Sequence, residues 1–145
     1  MNDGLSGSSF IIHNLATRMR EDAVSFAKSL EKIMDRIEGS AAAAILGVDG
    51  IMIERCVRDL DPALDVELVA IEFTNLLRRG MVTASDTELG DLTEMIVATD
   101  LVTFLLRPIT SEYFLLLALN PGGNVGRARF ELRRTQLDLK EEFTI

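Results

Sequence analysis

At 145 residues, 48% of them hydrophobic and with a mean hydropathy of +0.21, the chain can fill one sizeable core and is too apolar to be disordered. A net charge of -8 argues against binding to nucleic acid or to an anionic membrane surface, because both need a basic protein face. The single cysteine, Cys56, excludes an internal disulfide and argues against a zinc site, which suits a reducing compartment.

In chain order, the first fourteen residues lack the basic start of a signal peptide, and Phe10-Ile11-Ile12 is too short for its apolar core. Gly4, Gly7, Ser8 and Ser9 precede any periodic stripe, so residues 1–13 are expected to be a mobile segment ahead of a domain spanning 14–145. No apolar run approaches the roughly 20 residues of a membrane helix. A soluble, cytoplasmic protein is expected.

Leu15, Met19, Ala23, Phe26, Leu30, Ile33, Met34 and Ile37 recur at steps of three and four, one face of a helix that Gly39-Ser40 ends. The nearly unbroken apolar run Ala41 to Val48 reads as a strand covered on both faces. Asp49-Gly50 then reads as a type I′ hairpin turn into a second strand, Ile51 to Val57. Asp61-Pro62 breaks the chain, and a second helix is expected from about Asp65 to about Glu88. Three strands follow: Glu94 to Ala98, Leu101 to Arg107 and Tyr113 to Leu119. A loop, Asn120 to Asn124, leads into a last helix with the stripe Val125, Ala128, Leu132, Leu139 and Phe143. The order α-β-β-α-β-β-β-α predicts an α+β fold: one five-stranded, mainly antiparallel sheet with helices on both faces.

The segments 41–54 (AAAAILGVDGIMIE), 68–78 (LVAIEFTNLLR), 94–109 (EMIVATDLVTFLLRPI) and 113–134 (YFLLLALNPGGNVGRARFELRR) together resemble a roadblock/LC7 domain over about residues 25–143. The likeness is to the bacterial branch of mutual gliding protein B type, because the first helix starts earlier than in the shortest, dynein-associated members. It lies in the pattern of elements and not in any catalytic motif. The resemblance implies a homodimer whose second helices pack together and whose third strands pair into one ten-stranded sheet. It also implies docking to, or regulation of, a small Ras-like GTPase.

The second helix points to self-association on its own residues. At 100° per residue, Val66, Val69, Ala70, Phe73, Leu76, Leu77, Gly80, Met81 and Ala84 form one broad apolar sector. Leu64, Leu68, Ile71 and Val82 form a narrower stripe on the far side, with Glu67, Thr74 and Arg78 on one flank between the two and Glu72 and Arg79 on the other. A helix on a sheet needs only one stripe. The second stripe calls for a partner, or for a loop or the third helix to cover it. Gly80, unfavourable in mid-helix, fits close approach of another helix. The expected dimer interface is Ala70, Phe73, Leu77, Gly80, Met81, Ala84, Met95, Ile96 and Val97. The expected surface for the GTPase is Leu64, Leu68, Ile71 and Val82, edged by Glu72, Arg78 and Arg79.

Catalytic chemistry is not expected, nor is a cofactor or a metal. Asn120 to Gly126 looks like a phosphate loop but is followed by Arg127-Ala128 where a Walker loop has Lys-Ser/Thr, so Asn124 reads as a helix cap. His13 lies near the terminus, and Cys56, with no histidine near it in sequence, reads as a packed thiol. Arg127, Arg129, Arg133 and Arg134 read as a solvated helix face, with an acidic docking surface as the other reading. Two functions therefore stand: a dimeric regulator of a Ras-like GTPase, activating or exchange-promoting, and a non-catalytic dimeric scaffold in a signalling or motility complex.

Overall fold

The computed structural model describes residues 3–143; the side chains of 3–13, 15, 16, 19 and 22–24 fall outside that description. The elements are α1 (Asp3–Arg36), β1 (Ser40–Gly47), β2 (Met52–Val57), α2 (Val66–Asp86), β3 (Met95–Ala98), β4 (Thr103–Pro108), β5 (Tyr113–Leu119) and α3 (Val125–Phe143). The expected element order holds. The helix of α1 extends toward the N-terminus well beyond Leu15, where its apolar stripe was expected to begin. Because residues 1 and 2 and the side chains of 3–13 lie outside the described part, so does the mobile segment expected there.

The five strands form one antiparallel sheet in the order β2-β1-β5-β4-β3. β5 sits at its centre, and Phe114 through Leu119 are all buried. Alternation sends Leu115, Leu117 and Leu119 to one face and Phe114, Leu116 and Ala118 to the other. The first face packs on Phe26, Leu30, Ile33, Met34 and Ile37 of α1 and on Ala128, Leu132 and Leu139 of α3. The second packs on Ala70 and Leu77 of α2. The result is a three-layer sandwich with two helices on one side and one on the other. Two helices can cover a five-stranded face; a single one leaves part of its own circumference to solvent.

Local chemistry sets the turns. The Asp49-Gly50 hairpin differs from the expected type I′ form, since only Gly50 has positive φ (91°). Gly50 N–H donates to Gly47 O at 2.9 Å and Gly47 N–H to Ile51 O at 2.8 Å, a three-residue loop closed by a left-handed glycine. α2 starts at its cap Asp65, whose carboxylate accepts from Leu68 N–H. It ends with Leu89 N–H on Ala84 O and Glu88 N–H on Ser85 O, the paired bonds of a Schellman cap. Glu88 occupies the left-handed position usually given to glycine (φ 60°). Val125, expected on the inner stripe of α3, is exposed instead, because the helix begins there and its first residue lies beyond the sheet. No helix among the described residues is long and apolar enough to cross a membrane.

Candidate functional site

α2 lies on the sheet through its broad sector. Ala70, Leu77 and Ala84 are buried, and the Phe73 ring packs on Phe104 of β4 with centroids 4.5 Å apart. Val69, Met81, Met95 and Val97 are half-buried against the same core. Of the dimer interface expected from the sequence, Ala70, Leu77 and Ala84 are buried within the chain's own fold. Gly80 has an internal reason too. A Cβ there would come within 2.6 Å of Met95 Cε and 3.3 Å of Leu92 Cδ2, so the glycine admits the chain's own side chains from β3 and the loop before it. Of the nine residues expected at the interface, Ile96, 40% exposed, presents the most open apolar side chain.

The narrow stripe does face outward. Leu68, Ile71 and Val82 are 54%, 50% and 58% exposed, on the side of α2 away from the sheet. Leu64 does not join them. It precedes the cap Asp65, so helical spacing does not apply to it, and it turns inward to line a small apolar cavity of about 40 Å³ with Leu60, Val69 and Leu116. Glu72, Arg78 and Arg79 edge the stripe as expected, and among the described residues none of the three has an ion-pair partner. Asn75 and Thr83, not singled out from the sequence, are exposed, and so is Leu76, which the sequence placed in the broad apolar sector.

β3 is an edge strand with one neighbour, β4. Thr99 N–H donates to Val102 O, and antiparallel alternation then points the N–H and C=O of Val97 and Met95 at β4. The backbone groups of Ile96 and Ala98 point the other way, at the open edge. Glu94, immediately ahead of β3, is 17% exposed and holds this edge against α3: Arg129 Nε donates to it at 2.6 Å and Arg107 Nη1 at 3.1 Å.

The arginines of α3 divide. Arg129 is taken by Glu94, while Arg127 Nη2 lies 3.0 Å from Glu131, a fully buried carboxylate that also lies 3.7 Å from Arg36. Neither Glu131 oxygen makes a hydrogen bond with good geometry, so proximity of two cations compensates its burial. Arg133 and Arg134 are exposed. Arg58 donates to Asp35 at 2.6 Å, which raises its pKa further above the neutral range and leaves it charged throughout. The glycine loop before α3 is a structural junction. Gly123 packs so closely on Gly39 that a Cβ on Gly39 would stand 2.9 Å from Gly123 Cα, and Asn124 Oδ1 caps α3 through Arg127 N–H at 2.9 Å. Cys56 is half-buried against the α1/α3 core, the packed thiol expected from the sequence.

No family model matches the chain, and no curated protein matches it. Solved structures do. MglC from Myxococcus xanthus is 32% identical over 81% of this chain and 98% of its own, with a TM-score of 0.59. A roadblock/LC7 domain from Streptomyces avermitilis is 15% identical over 82% and 98%, with a TM-score of 0.71. MglB from Myxococcus xanthus is 10% identical over 85% and 90%, with a TM-score of 0.75. The last two share the fold at identities too low to carry more.

Proposed function

The chain belongs to the roadblock/LC7 family, and on that premise we propose that it is a dimeric docking partner and regulator of a small Ras-like GTPase. The observation that carries this reading is the outer stripe of α2. Leu68, Ile71 and Val82 stand half or more exposed on one helix face, while Ala70 and Leu77 on the opposite face are buried against the sheet. An apolar centre beside unpaired charge is the usual anatomy of a recognition surface, and Arg78 supplies such a charge here. The family resemblance over residues 25–143 points to a Ras-like GTPase as the occupant. Regulation then comes from docking against the switch loops and holding one of their arrangements, since a partner shifts an equilibrium only by preferring one state. No arginine finger is assigned.

The dimer is part of the proposal. It rests on the open backbone edge of β3, which needs cover to avoid uncontrolled pairing, and on the exposed flank of α2. A light-scattering mass near the monomer's 16.0 kDa at micromolar concentration contradicts it. For the function itself, each small Ras-like GTPase of the same genome is mixed with the full chain, and binding, GTP hydrolysis and nucleotide release are followed. Binding with a change in either rate supports regulation. Binding that changes neither rate supports the scaffold, and absence of binding to all of them ends the GTPase reading.

A further inference from the structure

Along one flank of α2 run Val69, Glu72, Leu76, Arg79 and Thr83, spaced alternately three and four apart. That is the 3.5-residue repeat of a helix–helix seam. Its neighbours locate the flank. Gly80, on the same side, lies against Met95 and Leu92, whereas Glu67 on the opposite side pairs with Arg55 of β2 at 3.3 Å. The seam therefore borders β3, the edge strand left open. Glu72, Leu76, Arg79 and Thr83 are exposed, Leu76 at 41%, and together with Asn75, Arg78 and Val82 they line an open groove along the helix.

The seam reads apolar, acidic, apolar, basic, methyl-bearing. Reversed, it gives the same shape with the charges exchanged. A two-fold axis through Leu76 that lays an antiparallel copy of α2 on this flank places Leu76 on Leu76 and Val69 opposite Thr83. It places Glu72 opposite Arg79 twice over, because in a two-fold contact residue i meets j wherever j meets i. A parallel copy in the same register sets Glu72 on Glu72 and Arg79 on Arg79. Neither charge has an ion-pair partner inside the chain, among the described residues, that would explain it otherwise.

We infer that Glu72 and Arg79 form a reciprocal charge pair that sets the register and antiparallel sense of an α2–α2 contact between two copies of this chain, centred on Leu76. The inference rests on the dimer proposed above and adds its register. It also moves these two residues from the rim of the GTPase surface into the dimer seam, leaving Leu68, Ile71, Val82 and Arg78 outside.

The test uses the full chain as wild type, as Glu72→Arg, as Arg79→Glu, and as the double variant, with dissociation constants from sedimentation. Each single reversal turns two attractions into two repulsions and weakens self-association by on the order of tenfold to a hundredfold. The double variant recovers wild-type affinity. Mixing the two single variants yields mainly the heterodimer, read by native mass spectrometry, since there every Glu again faces an Arg. Thermal melts of the singles near wild type show that folding is intact. Single variants that dimerise as tightly as wild type, or a mixture that assorts at random, overturn the charge pair while leaving the dimer standing. A monomeric wild-type chain overturns both.

Discussion

Replacing Leu68 by Glu separates a docking residue from a core residue. Leu68 is 54% exposed, so the change leaves the folded monomer within about 0.5 kcal/mol of wild type, as surface substitutions usually do. Docking buries the remaining half of the side chain. Full burial of a leucine is worth about 1.5–3 kcal/mol, so the half still exposed is worth roughly 1–1.5. A carboxylate at the centre of an apolar contact adds a further penalty of about 1–3 kcal/mol for a polar group left unsatisfied. The sum, roughly 2–4 kcal/mol, corresponds to a loss of GTPase affinity of about thirtyfold to a thousandfold. Titration of labelled GTPase, with a melt and a light-scattering mass on the same sample, checks all three quantities. A folded, dimeric Leu68→Glu protein that binds the GTPase as tightly as wild type refutes the assignment of the outer stripe. One that unfolds refutes the placement of Leu68 itself.

Proline at Ile96 removes an N–H aimed at the open edge and spares the bonds of Met95 and Val97 to β4. It should therefore lower dimer affinity while leaving the monomer folded, and an unchanged dissociation constant rules out β3 self-pairing. Glu88→Gly relieves a left-handed residue at the cap of α2 and should stabilise the protein by about 0.5–1 kcal/mol in urea titration; a lower midpoint contradicts the strain. Glu131→Leu should be neutral or stabilising, because Arg36 and Arg127 are 38% and 51% exposed and turn to water once the buried carboxylate is gone. Arg127→Ala should destabilise, by about 1–3 kcal/mol after discounting for the exposure of the lost partner. The reverse ranking of those two variants in a melt shows that the pair stabilises the fold on balance.

The periodicities that named the elements were strong because each is a burial pattern. The stripe Phe26, Leu30, Ile33, Ile37 and the doubly buried run of β1 are what a helix and an inner strand must look like in a three-layer sandwich. Errors arose where periodicity stops applying. Leu64 matched the outer stripe by count but sits before the helix begins, and Val125 matched the inner stripe of α3 but sits at its first residue. Gly80 carried a real signal, close approach, whose source no spacing could identify: β3 lies fifteen residues further on and returns beneath α2 only through the loop 87–94. The turn at Asp49-Gly50 was correctly placed and wrongly typed, since one positive φ at Gly50 satisfies the same dipeptide when the loop is a residue longer.

Two apolar stripes on α2 proved to be fewer than its surroundings require. At 100° per residue, Val66, Ala70, Phe73, Leu77, Met81 and Ala84 fall within an arc of roughly 80°, which the sheet fills. Leu68, Ile71 and Val82 fall within a second arc of roughly 60° nearly opposite. Between them, on the β3 side only, lies the seam centred on Leu76, where apolar residues and charges alternate. A hydrophobicity pattern alone merges Leu76 with the sheet-facing sector, because it weighs polarity and not neighbours. The exposure of Leu76 on a helix whose inner face is already saturated is what separates them. One helix thus presents three surfaces whose substitutions should fail in three different assays: Leu77 in stability, Glu72 and Arg79 in self-association, and Leu68 in binding of the GTPase.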